Sequence, residues 1–140
     1  MESQKPLDLV IIMLGTNDLK KRFSLSAFDV SEGAGVLAEI TMRNGEDCNG
    51  NPPKVLLVSP ILVGDIYQSQ WGELFDYENS IERSKKFASY YKSKAEELGC
   101  EFMNAAEYAD PSPIDAIHMD ASEHKKLGEA FAKKVKEIIG

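Results

Sequence analysis

Read for apolar and polar positions, the chain opens on a nearly unbroken apolar run, Leu7-Asp8-Leu9-Val10-Ile11-Ile12-Met13-Leu14, which stops abruptly at Gly15-Thr16-Asn17-Asp18. The run is short for a helix, and Val10, Ile11 and Ile12 are β-branched. Apolar residues on both sides of the pleat predict a strand over Leu7–Leu14, buried on both faces as in a parallel sheet. Leu19 to Leu25 is polar and basic, with Phe23 as its aromatic. A helix is predicted over Ala27–Arg43, with Ser26 as its N-cap and Asp29 three positions on. Val30, Ala34, Leu37 and Ile40 recur at helical spacing and define its apolar face, and Gly33 and Gly35 suggest close packing on the sheet. Asn44 to Pro53 is a loop by composition.

Lys54–Ser59 (K-V-L-L-V-S) reads as a second strand apolar on both faces, stopped by Pro60. Ile61 to Phe75 shows no clear period but holds Tyr67, Trp71 and Phe75. It fits either a pocket wall or lid at the strand's carboxyl end, or a short helix covering the core. The clearest helix is Tyr77–Leu98, with Ile81, Ser84, Ala88, Tyr91, Ala95 and Leu98 on one face and Gly99 at the position of a left-handed cap. Cys100–Asn104 is a third, shorter strand. A Pro- and Asp-rich loop, Ala105 to Met119, leads into a last helix capped by Asp120 or Ser122, with Leu127, Phe131, Val135 and Ile138 facing inward. Strands alternating with helices imply parallel pairing through right-handed crossovers in an α/β sandwich. The loops after the strands then share one sheet edge, where open parallel sheets keep their chemistry.

Composition narrows the classes. The 140 residues suit a single domain spanning 1–140, and 43% hydrophobic content supports a packed core. A formal charge of −7 argues against nucleic acid as a partner. The basic clusters Lys20-Lys21-Arg22 and Lys133-Lys134-Lys136 sit among acidic residues and read as solvated faces. Cys48 and Cys100 show neither metal spacing nor a disulfide framework, so two reduced thiols and no metal or cofactor are expected. Without a visible signal peptide or a membrane-length apolar run, the expectation is a cytoplasmic protein with no membrane partner.

The candidate chemistry lies at the common edge. Asp115-Ala116-Ile117-His118 places a carboxylate and an imidazole three residues apart, beyond the last strand. A carboxylate bonded to one ring nitrogen fixes the tautomer and leaves the other nitrogen as a base. Asn17 offers an amide donor for a developing oxyanion, Gly15 would let a substrate approach the backbone, and Asp18 lies beside them. A turn capped by Asn17 and Asp18 with a loosely packed His118 would leave the same pattern. His124, in the first turn of the last helix, reads as structural.

Met13-Leu14-Gly15-Thr16-Asn17-Asp18-Leu19-Lys20 resembles the G-x-N-D block of the SGNH (GDSL-type) hydrolases, and Asp115-Ala116-Ile117-His118 resembles their closing D-x-x-H block. The flavour of G-T-N-D-L-K is that of the arylesterase and acyl-CoA-thioesterase-like branch. The resemblance implies a three-layer α/β/α sandwich with a parallel, flavodoxin-like sheet of strand order 2-1-3-4-5. It implies that Asn17 is an oxyanion donor, His118 the general base and Asp115 its orienting carboxylate, acting on a small ester or thioester substrate.

The departures matter equally. That family's serine lies in a G-D-S block on its first strand and a glycine donor in a second block, and neither occurs in this sequence. The resemblance thus implies a fold truncated at its N-terminus and inactive alone. Ser59 precedes a proline that has no N–H to offer an oxyanion, Ser26 reads as a helix cap, and Ser24 lies in the loop before it. A non-catalytic α/β binding or assembly module, or a subunit complemented by a separate N-terminal polypeptide, is the alternative. With a neighbouring strand missing, Leu7–Leu14 would be an open apolar edge, and a homodimer through two antiparallel copies of it is expected unless Met1–Pro6 folds over it.

Overall fold

Alternation along Lys54–Ser59 (β2) sets the layering of the computed structural model, which describes residues 4–140. Val55 and Leu57 join one core cluster, and Leu56 and Val58 the other, so successive side chains feed opposite faces of the sheet. The first cluster takes Val30, Ala34 and Ala38 from Ala27–Asn44 (α1) and Phe87, Tyr91 and Ala95 from Tyr77–Leu98 (α3). The second takes Leu127 and Ile138 from Ala121–Ile139 (α4). Two helices therefore cover one face and α4 the other, the expected three-layer sandwich.

Leu9–Ile12 (β1) pairs in parallel with β2 in the register Leu9↔Lys54 to Ile12↔Leu57. Glu101–Asn104 (β3) pairs in parallel on the other side, Leu56↔Glu101 to Ser59↔Asn104. The order is β1-β2-β3, with β2 in the centre.

Local chemistry accounts for the helix ends. Ser26 and Asp29 form a reciprocal capping box, Ser26 Oγ accepting from Asp29 N–H at 3.1 Å and Asp29 Oδ2 accepting from Ser26 N–H at 3.0 Å. Gly99 takes φ 69° and closes α3 in the left-handed region. At α4, Asp120 stands at the N-cap, with its carbonyl rather than its side chain receiving the Glu123 N–H.

Several expectations are corrected. The first strand is shorter than Leu7–Leu14 and is not buried on both faces: Ile11 is 41% exposed and Leu14 56%. The reason is topological, since among the described residues β1 pairs on one side only. On α1 the buried stripe is Ala27, Val30, Ser31, Ala34, Ala38 and Thr41, whereas Leu37 and Ile40 stay 41% and 46% exposed. They face a groove of about 550 Å³ shared with Ile11, Leu14 and Phe131, alongside β1. Gly33 has open space around it, and Gly35 lies against the Lys94 stem of α3, not against the sheet. Between Ile61 and Phe75 the short-helix alternative holds: Gly72–Phe75 (α2) buries Phe75 in the core while Trp71 stays partly exposed. Of the Met1–Pro6 segment expected as an alternative cover, residues 1–3 lie outside the described residues.

Candidate active site

The carboxyl ends of the three parallel strands open onto one edge, and the inner face of α3 fixes the loops there. Tyr91 donates its hydroxyl to the Leu14 carbonyl at 2.6 Å. Ser80 Oγ–H reaches the Leu19 carbonyl at 3.3 Å, and Ser84 Oγ accepts the Val63 N–H at 3.0 Å. Burial, with the Asp18 carboxylate adding to it, pushes the Tyr91 hydroxyl above its ordinary range, which keeps it a donor. Gly15 adopts φ 137°, and a Cβ there would collide with Tyr91 Oη. The glycine is thus required by the Tyr91 contact. Beyond it, Thr16–Leu19 forms a 3₁₀ turn with Asp18 N–H donating to the Gly15 carbonyl. The Asn17 side chain is exposed and makes no hydrogen bond among the described residues, so its amide is free to donate.

The second half of the site is the loop after β3. Asp115 Oδ1 accepts the N–H groups of Ile117 at 3.0 Å and His118 at 2.9 Å, while Oδ2 meets His118 Nδ1 at 2.6 Å. Partial burial pushes this carboxyl up. The N–H of Ile117, the His118 ring and the His118 N–H outweigh it, so the group titrates below its ordinary value. Ala116 takes φ 65°, and its carbonyl accepts the Gly64 N–H at 2.8 Å. Ser112 N–H donates to the His118 carbonyl at 2.6 Å. The imidazole, 68% exposed, keeps Nε2 open.

Asn17 and His118 line one pocket of about 190 Å³, together with Thr16, Pro60, Ile117 and His124. Asp115 stands behind His118 through their hydrogen bond. Gly15 and Asp18 are not in this pocket: with Asn17 they border a cavity of about 540 Å³ on its other side, reaching Leu14, Asp29 and Leu37. His124, structural by its place in the sequence, is exposed and lines the same pocket as His118. Trp71, marked in the sequence only as a wall or lid candidate, sets its ring edge-on to His118 with centroids 6.2 Å apart.

Three serines weighed as nucleophiles are otherwise engaged. Ser59 is fully buried with Oγ donating to Asn104 Oδ1 at 3.1 Å, Ser26 caps α1, and Ser24 Oγ bonds the Lys21 carbonyl. No group of three His, Cys, Asp or Glu side chains suited to a metal gathers among the described residues. Among them, no helix is long and apolar enough to cross a membrane.

No protein-family profile and no curated protein sequence matches the chain. Solved structures do. Est24, a carbohydrate acetylesterase from Sinorhizobium meliloti, superposes with a TM-score of 0.89 at 34% identity, over 98% of this chain and 64% of its own. The native aryl esterase of M. smegmatis gives a TM-score of 0.88 at 30% identity, over 98% and 64%. Another crystal structure reaches 0.91 at 39% identity, over 99% of this chain and 63% of its own. The chain therefore spans somewhat less than two thirds of the length of these proteins.

Proposed function

The chain has the SGNH-hydrolase fold of arylesterases and carbohydrate acetylesterases, and on that premise we propose that it carries the base side of an ester-hydrolysing site whose serine comes from another segment of polypeptide. The observation that carries the reading is the Asp115 Oδ2–His118 Nδ1 contact of 2.6 Å in a loop whose imidazole shares a pocket with the Asn17 amide, which has no partner among the described residues. With Nδ1–H given to Asp115, His118 Nε2 accepts the proton of the attacking serine as its oxygen bonds to the ester carbonyl. The Asn17 amide donates to the oxyanion of the tetrahedral intermediate. His118 returns the proton to the departing alkoxide, and water repeats the sequence to release the acid. The compensating negative charge stays on Asp115 throughout.

A pocket of about 190 Å³ suits a short acyl group of an aryl ester, a sugar ester or a thioester. The serine-bearing segment would lie against β1, where the unpaired strand edge and the exposed Ile11, Leu14, Leu37 and Ile40 leave an apolar groove leading to Asn17. A non-catalytic binding module has the same fold but no use for a free base. The test is p-nitrophenyl acetate hydrolysis. The chain alone should turn over no faster than free imidazole, because removing the serine from such a unit costs about a millionfold. Addition of a serine-bearing strand–helix segment should raise the rate in a His118-dependent way. Turnover by the chain alone, abolished by His118→Ala, would place the nucleophile within it and contradict the reading.

A further inference from the structure

Among the described residues the His118 ring is anchored by one side-chain hydrogen bond and is 68% exposed, so Asp115 alone leaves it free to swing out. The chain's single tryptophan stands in the way. Trp71 meets the imidazole edge to face, with an interplanar angle of 68° and centroids 6.2 Å apart. Its own polar handle does not place it, because the buried Nε1–H has no acceptor among the described residues. The placement comes from Ser69, whose hydroxyl accepts the Trp71 N–H at 3.2 Å and donates to the Asp115 carbonyl at 2.8 Å. One hydroxyl thus joins the backbone of the segment bearing the indole to the backbone of the carboxylate.

We propose that Trp71, set by Ser69, is a positioning residue for His118, confining the imidazole to the orientation in which Nδ1 meets Asp115 Oδ2. The proposal rests on reading His118 as the base, but its readout is the imidazole itself and needs no ester turnover. Proton–nitrogen NMR of histidine-labelled protein reports the tautomer of each ring, and His118→Gln assigns the signals. In the wild-type chain the neutral His118 should carry its proton on Nδ1. Trp71→Ala should lower the ratio of that tautomer to the other by roughly two- to tenfold, the range set by aromatic pair energies. Trp71→Phe should restore it, Ser69→Ala should lower it partway, and the His124 signals should not move. An unchanged ratio in folded Trp71→Ala would overturn the proposal. Should that variant not fold, the fluorescence of the single tryptophan decides: it should change as His118 protonates and lose that transition in His118→Gln. A transition that persists there would equally overturn the proposal. Failure of an added serine-bearing segment to raise hydrolysis, with the tautomer effect intact, would sink the hydrolase reading and leave this one standing.

Discussion

Replacing Gly15 by alanine perturbs the point where α3 holds the end of β1. The new side chain must adopt φ 137°, a strain of about 1–3 kcal/mol. Its Cβ also meets Tyr91 Oη and, at 3.0 Å, Val30 Cγ1. Tyr91 is fully buried and can yield only by giving up the hydrogen bond to Leu14. That loss adds about 1–3 kcal/mol, because a buried donor is left unpaired. Together the terms give roughly 2–6 kcal/mol, a large part of the 5–15 kcal/mol that holds a domain of this size. Urea unfolding followed by circular dichroism should show the midpoint lowered by roughly 1–3 M. Tyr91→Phe removes the obstructing hydroxyl, so in that background Gly15→Ala should cost at least about 1 kcal/mol less than in the wild type. Additive effects, or a Gly15→Ala penalty below about 1 kcal/mol, would refute the claim that the Tyr91 hydroxyl is what demands a glycine.

The open edge of β1 should make the isolated chain self-associate: light scattering at micromolar concentration should give a dimer, and Ile11→Lys should return a monomer. A monomeric wild type would mean the edge is shielded. Asp115 titrates below its ordinary 3.8 in the fold, so its contribution to stability is present above that value and is lost as pH falls through the lower folded one. Asp115→Asn should therefore flatten the fall of the urea midpoint below pH ~4. Parallel wild-type and variant curves below pH 4 would contradict this.

What could be read in the sequence was local or periodic. Ser26 and Asp29 stand three residues apart, as do Asp115 and His118, and each pair acts on its immediate neighbours, so spacing alone placed the helix start and the dyad. Parallel topology then brought Asn17 to the same edge as His118. Periodicity was less informative on α1, because it marks Leu37 and Ile40 as apolar without saying what faces them. The clamps made by Ser80, Ser84 and Tyr91 join α3 to residues 61, 21 and 77 positions away. No short-range rule marks those partners, and a serine inside an apolar stripe carries no signal of its acceptor. Gly15 stands out in the sequence, but the contact that demands a glycine comes from Tyr91, far along the chain. Trp71 and His124 enter the site through loop geometry, which periodicity does not describe.

The central claim is that His118, Asp115 and Asn17 act on one ester carbonyl, and a chimaera tests it most directly. In it, this chain replaces the matching 64% of the M. smegmatis aryl esterase, which keeps its own remaining third. Initial rates of p-nitrophenyl acetate hydrolysis should fall in a fixed order. Asn17→Ala should lower kcat about 10²–10³-fold as one oxyanion donor is lost. Asp115→Asn should lower it about 10⁴-fold as the tautomer is lost. His118→Ala should lower it about 10⁶-fold. A folded chimaera without turnover, or one whose turnover survives His118→Ala, would contradict the account.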